Sequence, residues 1–94
     1  MATFIMFGKY SQDSIKHISS QRTEQSIELI KKNGGELKSG YALLGKTDLV
    51  LIVEFPDTTK AMKASVGLSK LLGISFTTAP AVSFKEFDQM MADG

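Results

Sequence analysis

The sequence predicts one α+β domain with the element order β-α-β-β-α-β, and three observations carry that expectation. Residues 3–7 (Thr-Phe-Ile-Met-Phe) and 49–55 (Leu-Val-Leu-Ile-Val-Glu-Phe) are apolar on both alternating sides for most of their length, as strands buried on both faces are. Two stretches between them and after them carry helix start and stop signals, Ser11 and Asp13 before Gly34-Gly35, and Asp57 before Gly73. Pro80 interrupts the last of four strand-like runs, and proline is tolerated at a sheet edge or a strand end. Right-handed crossovers then put the first and third strands at the centre of a four-stranded antiparallel sheet. The second and fourth strands become its edges, and both helices lie on one face. This is the ferredoxin-like arrangement, here followed by a short C-terminal helix.

In the first strand Ile5 and Phe7 share one side and Phe4 and Met6 the other. Ser11 offers an N-cap, and Asp13 a negative charge in the first turn, for a helix running to about Asn33. At about 100° per residue, Ile18, Gln25, Ser26, Leu29 and Ile30 fall within about 80° of Ile15 and form a stripe. The segment Ser19-Ser20-Gln21-Arg22-Thr23 is polar and poor in helix formers, so a kink or restart is expected near Ser20. The second strand covers residues 37–44, with Leu37, Tyr41 and Leu43 assigned to one face. Gly45-Lys46-Thr47-Asp48 makes a tight turn into the third strand, which Pro56 ends. The second helix covers residues 57–72 with Met62, Val66, Ser69 and Leu72 on one side, and the fourth strand covers residues 74–82. Ser83-Phe84-Lys85-Glu86 is a capping box for the terminal helix, whose apolar residues are Phe84, Phe87, Met90 and Met91.

A chain of 94 residues makes a single domain spanning residues 1–94, of a size at which a lone core is marginal and oligomerisation is a common remedy. Two helices cover one face of a sheet. The other face, drawn from Phe4, Met6, Val50 and Ile52 or their alternates, presents roughly 350 Å² of projected area that stays largely apolar. A second copy of the chain is therefore the expected partner, in a two-fold, sheet-to-sheet dimer or a larger homo-oligomer. The terminal helix is expected to cover part of this face, on its own subunit or on a neighbour.

The absence of cysteine excludes disulfides, thiolate metal sites and cysteine nucleophiles, and one histidine makes metal binding unexpected. No cofactor is implied. A net charge of +1, with only a mild basic tilt in the first half, provides no field for nucleic acid. The opening Met-Ala-Thr-Phe-Ile-Met-Phe has neither a basic leader region nor the roughly 20 apolar residues of a membrane span. A cytoplasmic location without a membrane partner is the expectation.

With the elements placed, a further set of residues becomes recognisable: Gly34-Gly35, Tyr41, Leu44-Gly45-Lys46-Thr47-Asp48 and Val53-Glu54-Phe55-Pro56-Asp57. Gly73, Thr77-Thr78, Ala81 and Glu86 complete it. This pattern, spanning most of the chain, resembles the GYD domain family of small bacterial and archaeal proteins within the dimeric α+β barrel superfamily. The family signature is glycine, a variable residue, tyrosine and aspartate at the hairpin. Gly45 and Asp48 match it, while Thr47 stands where the tyrosine belongs, so no role of that tyrosine is carried over to this chain. The resemblance implies the two-sheet dimer and little about activity.

Five residues are candidates for a ligand site. Arg22 lies about 20° off the apolar stripe if the first helix is continuous, an unusual place for a permanent charge. It is suited to a carboxylate in a pocket between helix and sheet; the simpler alternatives are a kink that turns it to solvent, or pairing with Glu54 or Asp48. His17, the only histidine, projects about 160° from the stripe and reads more simply as a solvated side chain. Asp48 sits where aspartate commonly bonds its own backbone, Glu54 is a charge on an apolar strand, and Tyr41 offers a hydroxyl.

No nucleophile elbow or phosphate loop is present in the sequence. The favoured function is a non-enzymatic oligomeric module that binds a small ligand or serves structure. The alternative is a cofactor-independent enzyme of monooxygenase, isomerase or dehydratase type, as the superfamily resemblance allows, with Arg22, His17 and Tyr41 around a pocket between sheet and helices. RNA recognition, which shares this strand order, needs aromatic platforms and basic flanks on the central strands; Asp-Leu-Val-Leu-Ile-Val-Glu-Phe is aliphatic and acid-flanked.

Overall fold

The computed structural model describes residues 1–93. Strands β1 (Ala2–Tyr10), β2 (Glu36–Ala42), β3 (Leu49–Phe55) and β4 (Ile74–Ala81) alternate with helices α1 (Ser20–Lys32) and α2 (Thr58–Leu72), and α3 (Phe84–Asp93) follows β4. The sheet runs β2-β3-β1-β4 with every neighbouring pair antiparallel, so the two strands that are apolar on both sides lie at its centre and Pro80 lies on an edge.

Alternation decides which residues meet the helices. Phe4 and Met6 of β1, with Val53 and Phe55 of β3, point into the layer beneath α1 and α2, where they are joined by Ile30, Ala61, Ala64 and Leu68. The Phe4 and Phe55 rings meet edge to face with centroids 6.2 Å apart, a favoured aromatic geometry. The buried stripe of α2 is thus Ala61, Ala64 and Leu68, while Met62 and Val66 are exposed. This corrects the expected Met62–Val66–Ser69–Leu72 side, of which Leu72 packs against the core: alanines let the helix lie close to the sheet, and their small side chains hide the stripe from a reading weighted by hydrophobic size.

Both long helices end by the expected local chemistry. Asp57 Oδ1 accepts from the Lys60 amide at 2.8 Å at the start of α2, and Gly73 closes it at φ 67°, a conformation glycine adopts without penalty. After α1, Gly34 turns the chain at φ 80°. The Gly35 amide returns to the Ile30 carbonyl at 3.0 Å. A Cβ at Gly35 would strike the Phe55 ring and lie 2.7 Å from the Glu54 carbonyl oxygen, so α1 hands over to β2 where only glycine fits.

The first helix is not continuous. A 3-10 turn, Ser14–His17, is followed by extended Ile18, and α1 begins only at Ser20 with Ser19 as its N-cap. The restart lies where the polar run predicts it. Ile15 and Ile18 are exposed as a result, since their stripe belonged to a helix that the break interrupts.

β2 departs from the expected pattern for a different reason. Between Leu37 and Ser39 the register with β3 shifts by one residue, so Leu37 pairs with Val53 whereas Tyr41 pairs with Val50. Leu37 and Tyr41 therefore occupy opposite faces, not the shared face expected, because a bulge reverses every side chain beyond it.

Neither α1 nor α2 covers the second face of the sheet. Across it run Ala79, Ile5 and Ile52 in one row and Thr77, Phe7, Val50 and Tyr41 in the next, with Phe7 41% and Tyr41 60% exposed. Ile5 and Phe7 line this face with Val50 and Ile52; Phe4 and Met6, named as one possibility from sequence, belong to the core. The helix α3 is opened by the Ser83 hydroxyl, which accepts from the Glu86 amide at 3.1 Å. It packs extensively on no other element, and Phe84, Phe87, Met90 and Met91 are all exposed.

Candidate functional site

The bulge in β2 and the break before α1 together open a cavity. Beyond the bulge, Gly40 and Ala42 are the residues that pair with Leu51 and Leu49, so small side chains occupy the edge of the sheet on the helix side. On β1, Gly8 lies between Leu49 and Phe76 in register. A Cβ there would come within 2.9 Å of both side chains, and glycine lets them close together into an apolar floor. The roof is the first turns of α1, with Ser19, Arg22, Thr23 and Ser26, and Leu72 closes one end. The cavity, open to solvent on one side, has a volume of about 330 Å³, at the lower end of the roughly 300–1,000 Å³ typical of small-molecule sites.

Arg22 is held in this roof by two hydrogen bonds. One Nη donates to the Ser14 carbonyl and the other to the Leu72 carbonyl, each at 2.7 Å. The side chain therefore joins the 3-10 turn to the last turn of α2, where a cation suits the negative helix end. It pairs with neither Glu54 nor Asp48. Among the described residues the one ion pair is the exposed Lys38–Glu36 contact at 3.8 Å, so the half-buried guanidinium has no carboxylate partner. The approach to Arg22 is itself fixed: the Ser11 hydroxyl accepts from the Ser14 amide at 2.9 Å, and the Ser14 hydroxyl accepts from the Ser11 amide at 2.8 Å.

Of the other candidates, Tyr41 alone shares the first cavity with Arg22. His17 is exposed and lines a second cavity of about 300 Å³ with Ser11, Asp13 and Gly73, a cavity that Arg22 also borders. Glu54 lies on the open sheet face in register with Thr3 and Glu36, where the like charge of Glu36 is offset by Lys38. Asp48 staples the hairpin to β1. Its Oδ2 accepts from the Tyr10 amide at 2.8 Å and its own amide donates to the Gly8 carbonyl at 2.9 Å, so the aspartate of the hairpin motif has a structural task. Tyr41 borders the first cavity, although its pairing with Val50 places it on the opposite face. The structure thus unites Arg22 and Tyr41 with Thr23, Ser26 and Gly40, which were not among the candidate site residues. A glycine inside a strand pattern, as at Gly40, is the signal that marks such a bulge.

The lining contains no carboxylate and no imidazole among the described residues. Its polar groups are the guanidinium and the hydroxyls, which recognise a ligand but do not provide a base matched to neutral pH.

The GYD domain family model matches residues 4–91. The chain belongs to the GYD domain family. No curated protein matches this GYD domain. Among solved structures, that of the Mycobacterium tuberculosis leucine response regulatory protein LrpA aligns with a TM-score of 0.63 at 10% identity, over 87% of this chain and 51% of that one. A transcriptional regulator aligns with a TM-score of 0.68 at 12% identity, over 88% of this chain and 51% of the other. The GYD domain spans about half the length of these structures and shares their fold at that identity. No helix among the described residues is long and apolar enough to cross a membrane.

Proposed function

We propose that this GYD domain is a self-associating, small-molecule-binding module whose ligand occupies the cavity between α1 and the sheet. The observation that carries the reading is the cavity itself: apolar on its floor, roofed by hydroxyls, and bordered by a half-buried arginine without an acidic partner. Convergence of a few polar groups on an apolar concavity is the usual form of a ligand site. That a regulator named for its leucine response contains this fold over half its length supports a small-molecule-responsive role and gives no residue of it.

Self-association follows from the uncovered sheet face. A stable interface buries about 800 Å² on each partner, more than the roughly 350 Å² projected by four strands of this length. The exposed apolar side of α3 provides the remaining area when it packs across a two-fold axis. The cavity lies on the helix side of the sheet, so two sheets packed face to face leave both cavities accessible.

A neutral amphipathic probe, octanamide, titrated into 15N-labelled protein tests the cavity. Amide shifts are expected at Gly40, Thr23, Ser26 and Leu49, with Ile5 and Ile52 on the open face unmoved. Shifts confined to the open face, or none at millimolar probe, would refute the assignment.

A further inference from the structure

Building on the cavity as a ligand site, we propose that its natural ligand class is the amphipathic monocarboxylic acids, with the carboxylate on Arg22 and the apolar body over Leu49, Leu51 and Phe76.

The charge balance points to an anion. A guanidinium carries five N–H donors, and the two carbonyl bonds to Ser14 and Leu72 leave three of them. Those same bonds fix the plane of the group before any ligand arrives, which reduces the ordering cost of binding. No carboxylate of the described residues lies within ion-pair range; Asp13 borders the neighbouring cavity and stays outside that range. The first turn of α1 contains no acidic residue, so the positive end of that helix adds to the field at the cavity roof. Thr23, one residue further on, lines the same wall.

The magnitude of that charge selects the kind of anion. One guanidinium, already facing the negative end of α2 through Leu72, leaves no more than a single positive charge to satisfy. A carboxylate carries one negative charge, whereas a phosphate monoester carries about 1.5 to 2 at neutral pH and would leave the excess buried against leucine and phenylalanine. The planar carboxylate also matches the flat guanidinium edge. The floor of Leu49, Leu51, Ile74 and Phe76 offers nothing to a polar tail, so the rest of the ligand is hydrocarbon or aromatic.

The test compares ligands of one length by isothermal titration calorimetry on the full chain: octanoate, octanamide and octyl phosphate. A charge-assisted pair in a partly buried site is expected to make octanoate bind at least tenfold tighter than octanamide, and octyl phosphate no tighter than octanoate. Arg22→Gln is expected to reduce the acid-over-amide preference to within about threefold, read as the ratio of the two affinities in the variant, so that a loss common to both ligands from the missing clamps cancels; a preference kept at tenfold in Arg22→Gln would overturn the assignment of the carboxylate to Arg22. Arg22→Lys keeps the charge and retains part of the preference. Equal affinity for octanoate and octanamide in the wild-type protein would overturn the carboxylate assignment while leaving the cavity intact as a site. Tighter binding of the phosphate would overturn it in favour of a dianion. Failure of all three to bind would overturn the cavity reading together with it.

Discussion

Phe55→Ala is expected to cost about 3–5 kcal/mol and to lower the thermal midpoint by roughly 15–30 °C. Phe55 is fully buried in β3, packs edge-on against Phe4, and lies under the α1-to-β2 handover at Gly35. Removing the ring opens a void that two glycines and a close-packed alanine helix have no side-chain volume to refill. The loss is a large part of the ~5–15 kcal/mol that holds a domain of this kind folded. Differential scanning calorimetry measures it directly. A midpoint within about 5 °C of the wild-type value would mean that the Phe4–Phe55 contact is not the centre of the core.

Ile52→Asp is expected to convert the assembly to monomers at micromolar concentration. Ile52 sits in the middle of the uncovered face, opposite Ile5 on β1 and Ser39 on β2. In a two-fold, face-to-face packing, each substituted carboxylate would enter an apolar interface close to its symmetry mate. Desolvation and like-charge repulsion together cost roughly 4 kcal/mol or more, about a 1,000-fold weakening of association. Sedimentation should fall from a multiple of the 10.2 kDa chain mass to that mass itself. Gln25→Asp, an exposed position on α1, should leave the assembly intact. An Ile52→Asp protein that sediments as an oligomeric wild type does would place the interface elsewhere, and a wild-type monomer would refute self-association through this face.

The fold was legible in the sequence because its signals are local or periodic. Alternation in residues 3–7 and 49–55 identified the central strands, Pro80 identified an edge, and Asp57, Gly34-Gly35, Gly73 and Ser83 fixed the helix ends where the structure has them. The polar run at Ser19–Thr23 marked the restart of the first helix. The site was only partly legible. Its volume depends on a one-residue register shift at Lys38 that faces Gly40 and Ala42 toward the helices, and no periodicity reports a shift in pairing. Arg22 was recognisable as an unusual charge. Its partners, the Ser14 and Leu72 carbonyls, are backbone atoms eight and 50 residues away in the chain, and backbone acceptors leave no trace in side-chain identity. Asp48 stood out as a turn aspartate, and the structure gives it a longer reach, to the Tyr10 amide across to β1.

The departure of Thr47 from the tyrosine of the family motif also acquires a setting. The hairpin is held by Asp48 to β1 and by the Leu43 amide to the Asp48 carbonyl at 2.8 Å. Lys9 Nζ donates to the Lys46 carbonyl at 3.2 Å. The turn is anchored from both neighbouring strands without any contribution from the side chain at position 47.

The most direct test of a self-associating ligand-binding module is a native mass spectrum recorded with octanoate present. A dimer or larger assembly carrying one octanoate on each subunit is the predicted result. A monomer, or an assembly that stays bare at octanoate concentrations saturating in calorimetry, would contradict it.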